Sequence, residues 1–534
     1  MSPRVDGRSL TLRQKRAIGW LLALATTAVV LVNQRDVGIA RDETVYMQAG
    51  PRYFGWWKSL VTFDRARPPI AAVFGGAPGE GTNAEHPPLM KTAFGFSVWL
   101  FHDKLGVLDE LTAFRLPAAV LHGVLVGLVY AMVLAIWGFA EAIAAALLVL
   151  FLPRLLFHAG LACFDAPITS LWFATVYAYW RCLDGRAWPW QAGVVFGLAL
   201  ATKHNALLLP FALGIHYIVI AVRAQGWRDA WRFRSWRVLV SLAVLAPLVL
   251  YVLWPRLWLD PVGGVSAWLK FHTSHVHYNF EYLGDNWNAP RFPWHVAIVT
   301  TLFTVPTATL AAAGVGAYVW ARAAAHEHAP VLLLALSAAA SIGPFFLGST
   351  PIFGAEKHWS PAIPTICIAA AVGAVWAARR IAERAVPVVV GAVVLAAAVE
   401  TLTAQPYALT SYTALAGGAP GGADHGMNRQ FWGVAARDVL PVLARAAAPT
   451  GTTLVYSHDA SPMWGWYTKY GLVPRTLQDA GQEQLGIDRS QLAIVIHEKH
   501  FNRHDYMIWK AYKTVQPIYV LRADGVPIVS VYKR

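Results

Sequence analysis

Two apolar segments in succession decide the fold: residues 115–137 read RLPAAVLHGVLVGLVYAMVLAIW, and residues 139–156 read FAEAIAAALLVLFLPRLL. A helix needs about 20 predominantly apolar residues to cross the hydrocarbon core of a bilayer. Both segments have about this length and contain few charged residues. They therefore predict two consecutive membrane-spanning helices.

The composition extends this interpretation to most of the chain. Of its 534 residues, 56% are hydrophobic and 14% are charged, whereas a soluble globular protein has about 25% charged residues. These proportions exclude a disordered chain, a fibrous repeat and an ordinary cytosolic enzyme, and they predict a polytopic α-helical membrane protein. About eleven spans are expected, at residues 17–33, 115–137, 139–156, 161–182, 190–202, 205–222, 238–254, 294–320, 330–348, 360–378 and 386–402.

Basic residues predict the orientation of these spans, because the cytoplasmic loops of membrane proteins are rich in Lys and Arg. The basic clusters are Arg4 to Arg16, Arg181 with Arg186, Arg223 to Arg237, and Arg379 to Arg384. With the eleven spans given above, all these clusters lie on the cytoplasmic side, and an odd number of spans puts the C-terminus outside. We therefore expect a multi-pass protein of the inner (plasma) membrane. Its N-terminus is expected in the cytoplasm, its first span is expected to be a retained signal anchor, and its C-terminus is expected outside.

The sequence changes character after Thr401. Stretches with strand character follow at Thr453–Ser457, Leu492–His497, Pro517–Leu521 and Pro527–Tyr532. Asp524-Gly525, between the last two stretches, is a hairpin signal. We therefore expect a transmembrane domain over residues 1–402 and a soluble extracytoplasmic α/β domain over residues 403–534.

Acidic motifs fall on the outer side of the membrane, in or beside two long loops at about 33–114 and 255–293. The first loop opens with Asp42 and Glu43, just past the first span, and Asp165 lies at the outer start of another span. Acidic side chains at a membrane edge are costly to bury, which makes them functional candidates. The alternative for Asp42 and Glu43 is an interfacial acidic pair without a catalytic role.

Cationic side chains occur at the same face. Lys203 and Lys357 each lie at an outer junction between two apolar segments, and His358 follows Lys357 directly. A lysine at such a junction either binds an anion or extends its ammonium to the lipid headgroups, and the sequence leaves both open. His86 precedes two prolines. These either hold an extended segment that presents the histidine to a ligand or begin a helix.

The second outer loop is rich in aromatic residues and histidines. It begins near Arg256 and contains His272, His275 and His277. The aromatics suit either a sugar- or lipid-binding surface or an aromatic belt, and the histidines suit contact with substrate or a bound metal. Because their spacing matches no standard metal site, we expect no metal and no other cofactor. No nucleotide-binding loop of the P-loop type occurs, so nothing indicates coupling to ATP, and nucleic-acid binding is not expected either.

These motifs, in this order, resemble the GT-C class of membrane glycosyltransferases. Within that class the resemblance is to the superfamily of protein O-mannosyltransferases and aminoarabinose transferases, in the bacterial form of glycosyltransferase family 39. It rests on Asp42-Glu43 with Tyr46, Glu85-His86-Pro87-Pro88, Arg115-Leu116-Pro117, Pro153-Arg154 with Asp165-Ala166-Pro167, Lys203-His204-Asn205-Ala206, and Lys357-His358 near Pro361. It continues towards the C-terminal end in Gly417-Gly418, Phe431-Trp432-Gly433 and the segment from Gly525 to Tyr532.

The resemblance implies an inverting glycosyltransferase that moves a sugar from a polyprenyl phosphate to a hydroxyl group on the outer face of the membrane. The acceptor hydroxyl must lose a proton, and the resemblance assigns this step to Asp42, with Glu43 and Asp165 orienting the base or the acceptor. The leaving phosphate needs cations at headgroup depth. The expected phosphate contacts are Lys203, His86, Lys357, His358 and Arg256. The expected further contacts with substrate are Tyr46, His272, His275 and His277.

The acceptor stays open, since a protein serine or threonine, a glycan, and lipid A or another glycolipid all offer a hydroxyl group. A lipid or glycan transporter is the alternative from another class. Transporters place paired half-helices and polar groups near the middle of the membrane, whereas the polar motifs here collect at one face. The expected partners are therefore a polyprenyl-phosphate sugar, one of these acceptors and the lipid bilayer.

Overall fold

A computed structural model describes residues 10–75, 83–233, 235–275, 277, 279–322, 328–499 and 502–534. Arg4 and Arg8, which belong to the N-terminal basic cluster, lie outside the described residues. The described part is mainly helical, and its strands form one two-stranded hairpin and one five-stranded sheet.

Seven helices in the described residues are long and apolar enough to cross a membrane. They are Leu12–Asp36, Glu110–Ile136, His204–Gln225, Trp236–Leu253, His328–Phe346, Ser360–Ile381 and Glu383–Ala404. Two further segments are bent helix pairs: Phe139–Leu150 with Pro153–Ala159, bent by 68°, and Val296–Thr304 with Thr307–Ala321, bent by 119°. If each pair crosses once, the number of spans rises to nine. The polytopic helical fold expected from the sequence is thereby confirmed.

The remaining two of the eleven expected spans also fall on helices. Asp165–Leu183 covers most of the expected span 161–182, and Pro189–Leu200 covers most of 190–202. Pro189–Leu200 has 12 residues, which gives about 18 Å of helix against a hydrocarbon core of about 30 Å. Neither helix is among those that are both long and apolar enough to cross a membrane, so the described residues contain seven to nine such spans where the sequence predicts about eleven.

Helices of the bundle differ in what they face. On the first span, Trp20, Leu21 and Leu24 are 72%, 64% and 66% exposed, as suits a surface in contact with lipid. Ser360–Ile381 lies inside the bundle instead. A Cβ atom added to its Gly373 would lie 2.2 Å from the Ala312 carbonyl oxygen, so a larger residue there would force the helices apart.

The first outer loop is folded into helices. They are Arg41–Val61, Ile70–Phe74, Leu89–Ser97 and a π-helical turn at Val98–Lys104. Arg41–Val61 and Leu89–Ser97 cross in backbone contact, because a Cβ atom on Gly95 would lie 2.1 Å from the Gly50 carbonyl oxygen. This crossing fixes the direction of Arg41–Val61, whose first turn carries Asp42 and Glu43.

The second outer loop also has regular structure. It contains the helices Arg256–Leu259 and Pro261–Thr273. A short antiparallel hairpin follows, formed by β1 (Phe280–Tyr282) and β2 (Asp285–Trp287).

The C-terminal region contains a five-stranded mixed sheet. Its strands are β3 (Thr453–Ser457), β4 (Leu477–Asp479), β5 (Leu492–Ile496), β6 (Tyr519–Ala523) and β7 (Val526–Lys533), in the spatial order β4-β3-β5-β7-β6. Strand β3 runs parallel to β4 and β5, whereas β7 pairs antiparallel with β5 and β6. Asp524 and Gly525 join β6 to β7 with φ values of +47° and +81°, as in the tight hairpin turn expected from the sequence.

Short helices complete this region and connect it to the last span. They are Gly418–Asp424, Val434–Val439, Leu440–Ala446, Ser461–Lys469, Gln484–Arg489 and Asn502–Tyr512. The region packs on the start of helix Arg41–Val61. Arg41 Nη1 lies 2.8 Å from Asp459 Oδ1, and the Ile39 backbone N–H donates to the Tyr467 hydroxyl at 3.3 Å.

Candidate active site

A cavity of about 740 Å³ lies where the C-terminal region meets the helical part of the chain. Segments far apart in sequence form its wall, among them both outer loops and the segment around Lys357. Its lining includes many of the side chains proposed from the sequence, namely Asp42, Tyr46, His86, Asp165, Lys203, His272, His275, Lys357 and His358.

Asp42 lies in the first turn of helix Arg41–Val61 and lines the cavity. An acidic side chain is favourable there because the N-terminal end of a helix carries partial positive charge. The neighbouring Arg41 forms an ion pair with Asp459. Within the described residues, the Asp42 carboxylate makes no hydrogen bond or ion pair. Its oxygen atoms are therefore available to accept a hydrogen bond from a ligand in the cavity.

Tyr46 follows Asp42 one helical turn later and forms part of the same wall. Its ring stacks on Phe164 with a centroid distance of 4.1 Å. Burial, followed by the charge of Asp42, raises the pKa of Tyr46 well above its ordinary value. The side chain therefore offers a neutral hydroxyl and an aromatic face, both suited to contact with a sugar.

Lys203 and Asp165 form an ion pair at the cavity wall. Lys203 Nζ lies 2.7 Å from Asp165 Oδ1, and their side chains are 10% and 6% exposed. The short strong contact shows that Lys203 does not extend to the lipid headgroups. Its charge is already matched by a carboxylate, so a bound anion would have to share the ammonium with Asp165.

Lys357 has a different environment. Its ammonium nitrogen lies 4.8 Å, 4.5 Å and 4.3 Å from the ring centroids of Phe353, Phe431 and Trp432, an arrangement in which aromatic faces stabilise a cation. Burial lowers the pKa of Lys357, and the charge of Asp165 opposes part of this effect. No carboxylate of the described residues forms an ion pair with this ammonium. Lys357 is thus a buried cation that faces a cavity without an anionic partner.

Glu356 fixes the turn that carries Lys357. Arg154 Nη1 lies 2.8 Å from Glu356 Oε2, and His158 Nε2 lies 3.8 Å from Glu356 Oε1. Both partners belong to the helix Pro153–Ala159. The Pro153-Arg154 motif noted in the sequence therefore positions the Lys357 segment and does not contribute to the cavity itself.

Glu43 does not reach the cavity, contrary to the expectation that it orients the base or the acceptor. Its side chain is fully buried, and Arg115 donates to it through two hydrogen bonds of 2.8 Å each. The backbone N–H groups of Ala162 and Ala40 donate at 2.7 Å and 2.8 Å. Both oxygen atoms of the Glu43 carboxylate are thus hydrogen-bonded within the protein. Glu43 therefore holds in place the helix start on which Asp42 lies.

Arg256 and His277 also lie outside the described cavity lining. Arg256 Nη1 donates to the Ala84 carbonyl oxygen at 3.2 Å, and the His277 ring packs near Phe292 with a centroid distance of 5.8 Å. Neither geometry supports the contact with donor or substrate that the sequence suggested. His358 does line the cavity, and its Nε2 lies 2.6 Å from the Phe353 carbonyl oxygen.

Three histidines from different segments meet at one side of the cavity. The His204 and His272 rings stack with a centroid distance of 3.7 Å, and the His86 ring lies 5.2 Å from that of His272. One ring nitrogen of each lies within 4.8 Å of the other two. His275 is separate, since its ring stacks on Phe353. In the sequence, His204 appeared only as part of the motif Lys203-His204-Asn205-Ala206. The residues around it do not indicate that its ring lies near that of His86.

The C-terminal sheet contributes side chains that the sequence did not mark. His458 and Asp459 directly follow β3, and Glu498 follows β5 closely. Because β3 and β5 are parallel neighbours, these residues meet at the same edge of the sheet, where ligand sites of parallel sheets commonly form. His458 and Glu498 line the cavity. Burial, followed by the charge of Asp459, raises the pKa of Glu498 well above its ordinary value.

A known family matches a third of the chain in sequence. Residues 85–254 match the family model described as dolichyl-phosphate-mannose-protein mannosyltransferase. That range includes, among the residues discussed above, His86, Arg154, Asp165 and Lys203. No curated protein matches the chain.

Solved structures with a similar fold cover almost the whole chain. ArnT from Cupriavidus metallidurans bound to undecaprenyl phosphate is 15% identical, with a TM-score of 0.51 over 96% of this chain and 98% of that chain. The same protein in the apo state is 16% identical, with a TM-score of 0.48 over 96% of this chain and 98% of that chain. The apo oligosaccharyltransferase of Archaeoglobus fulgidus is 11% identical, with a TM-score of 0.45 over 94% of this chain and 71% of that chain.

The chain shares its overall fold with ArnT, a fold of the GT-C class that the sequence motifs resemble. Residues 85–254 also resemble the mannosyltransferase family named above. The resemblance found in the sequence is thereby confirmed. The spans and the fold also confirm a multi-pass membrane protein.

Proposed function

We propose that the protein transfers a sugar from a polyprenyl phosphate to a hydroxyl acceptor on the outer face of the inner membrane. One observation carries the proposal. Asp42 and Lys357 line the same cavity, and neither charged group has an ion-pair partner within the described residues. A carboxylate and an ammonium that are both available are the two groups needed to accept the acceptor proton and to bind the leaving phosphate.

The proposed reaction is a single displacement. The acceptor hydroxyl gives its proton to the Asp42 carboxylate while its oxygen forms a bond to the anomeric carbon. The bond from this carbon to the phosphate oxygen breaks, and the phosphate leaves with the electron pair. Lys357 stabilises the negative charge that develops on the phosphate. Attack on the face opposite the leaving group inverts the anomeric carbon.

The other predicted residues support these two. Lys203 is proposed to contact the phosphate while it remains paired with Asp165, which fixes the direction of its ammonium. Tyr46 is proposed to contact the sugar. The donor carries its own leaving group, so the transfer is proposed to need no organic cofactor.

A polyprenyl phosphate is the favoured donor for two reasons. ArnT, whose fold this chain shares, was solved with undecaprenyl phosphate bound. The cavity lining also combines its cations with apolar side chains, including Leu207, Leu208 and Phe345. Such a wall accommodates the first isoprene units beside a charged headgroup. The orientation that places the cavity outside rests on the distribution of basic clusters.

Mass spectrometry of the cell envelope in a deletion strain tests this function. The strain is complemented with the wild type, with Asp42→Asn, or with Asp36→Asn as a matched control, because Asp36 is exposed and lies outside the described cavity lining. Sugar additions to proteins, glycans and lipid A are compared. We expect one class of addition to return with the wild type and Asp36→Asn but not with Asp42→Asn. Identical envelope spectra in all strains, deletion included, would exclude the proposed transfer.

A further inference from the structure

We infer that His86, His204 and His272 bind a divalent transition metal such as zinc. These histidines come from three separate segments, yet one ring nitrogen of each lies within 4.8 Å of the others. Nitrogens bound to one zinc at about 2.0–2.1 Å lie roughly 3.3 Å apart in tetrahedral geometry. The His204 and His272 rings are stacked, with centroids 3.7 Å apart and planes at 21°, so one ring must rotate out of the stack before both in-plane lone pairs can point at one ion. The inference does not rest on the proposed transfer reaction.

One buried ring nitrogen of each histidine in this cluster lacks a hydrogen-bond partner within the described residues. His86 Nδ1, His204 Nδ1 and His272 Nε2 are buried, and none of them has a partner within the described residues. Most buried polar atoms in proteins have such a partner, and leaving one without costs free energy. A metal ion that accepts one lone pair from each ring would give all three histidines a common partner.

Contacts outside the cluster hold two of the three segments in place. Lys91 Nζ donates to the carbonyl oxygens of Asn83 and His86 at 2.5 Å and 3.1 Å, which fixes the turn that carries His86. Asn205 Nδ2 donates to the His358 carbonyl oxygen at 3.0 Å, next to His204. A site held by its surroundings before the metal arrives loses less conformational entropy on binding.

The type of donor indicates the type of metal. Neutral imidazole nitrogens favour zinc and neighbouring transition metals over magnesium or calcium, which prefer oxygen. Three histidines leave one position of a tetrahedral zinc unfilled, as in zinc sites that bind a water or a ligand. All three residues line the cavity, so this fourth position is open to its contents.

This inference departs from the sequence-based expectation that no metal is bound. That expectation considered His272, His275 and His277, which are close in sequence. In the structure, the His275 ring stacks on Phe353 and the His277 ring packs near Phe292. The cluster instead combines His272 with two histidines of other segments, which sequence spacing cannot reveal.

Metal content of the purified full-length protein tests the site. The protein is prepared in detergent without a histidine tag, treated with chelator, and dialysed against zinc or cobalt. We expect about one metal per chain by mass spectrometry, and a visible cobalt spectrum typical of tetrahedral coordination. Loss of an outer-shell partner of a metal ligand already weakens binding by about 10–100-fold. His272→Ala should therefore weaken zinc binding at least as much.

His275→Ala is the matched control, since His275 lies in the same loop and lines the same cavity. It should keep wild-type metal affinity. His204→Gln, which keeps a polar side chain of similar size, serves if His272→Ala is not monodisperse on gel filtration, and it should lose the metal. The inference is overturned if the wild type retains no metal, or if His275→Ala loses as much as His272→Ala or His204→Gln. Metal binding in a protein that transfers no sugar would overturn only the proposed function.

Discussion

The ammonium of Lys203 lies 2.7 Å from the carboxylate of Asp165, and both side chains are almost fully buried at the cavity wall. Lys357 lines the same cavity, but its ammonium contacts aromatic rings and no carboxylate of the described chain. The two lysines therefore differ in how their charges are compensated within the protein. Lys203 and Asp165 stabilise each other and shape the wall, whereas Lys357 is the cation most available to an anionic ligand.

We predict that Lys203→Met destabilises the protein and that adding Asp165→Asn restores part of the loss. Removing one partner of a buried ion pair leaves the other charge uncompensated and costs about 3–5 kcal/mol. The free energy of unfolding in detergent is compared for the wild type, both single variants and the double variant. Purely additive losses would show that the two side chains do not act as a pair.

We predict that Lys357→Gln weakens binding of undecaprenyl phosphate by roughly 10–100-fold. A hydrogen bond to a charged group contributes about 1.5–3 kcal/mol, and about 1.4 kcal/mol corresponds to a tenfold change in affinity. Binding of radiolabelled lipid to the purified protein measures the effect. Lys270→Gln is the control, because Lys270 is exposed and outside the described cavity lining. Equal affinities for the two variants would remove Lys357 from the donor site.

The same binding should depend on pH through Lys357. Burial lowers the pKa of this lysine, so its charge is complete at low pH and is lost as pH rises through a value below that of an ordinary lysine. Affinity for undecaprenyl phosphate should therefore fall over this interval as pH rises. Lys357→Arg keeps its charge at high pH and should bind with little change there. A wild type whose affinity is constant up to the pKa of an ordinary lysine would contradict the assignment.

We predict that Glu43→Gln destabilises the protein far more than Glu110→Gln. Glu43 and Arg115 are both 0% exposed, and breaking a buried pair costs about 3–5 kcal/mol. Glu110 also forms an ion pair, with Lys469 at 2.6 Å, but that lysine is 51% exposed, and exposed pairs contribute about 0–1 kcal/mol. Thermal unfolding in detergent compares the two variants. Similar shifts would mean that Glu43 is not the anchor of the helix start.

Asp42 and Glu43 show how far the sequence can assign a site. Both are acidic and both follow the first span, so the sequence proposes both for the cavity. One residue along a helix turns the side chain by about 100°. Asp42 consequently lines the cavity, whereas Glu43 points into the protein and meets Arg115. The motif therefore lies beside the cavity, but only one of its two acids lines it.

The spans were predictable because an apolar segment of sufficient length has few alternatives to crossing the membrane. Their number differs from the prediction because Pro153 and Pro306 lie at the bends of two helix pairs, and because the helix Pro189–Leu200 is short. The sequence did not show which distant segments come together in the fold. Glu498 reaches the cavity because β3 and β5 are parallel, and that arrangement depends on the whole sheet.

The most direct test of the account is the transfer rate of Asp42→Asn with a saturating polyprenyl-phosphate sugar, measured on purified protein that still binds undecaprenyl phosphate. The substitution keeps the shape of the side chain and removes its capacity to accept a proton. Loss of a general base typically lowers the rate by about 10²–10⁴-fold, and we predict a loss in this range with donor affinity nearly unchanged. Transfer by Asp42→Asn at the wild-type rate, from protein that is folded and binds the lipid, would contradict the central claim that Asp42 is the catalytic base of this cavity.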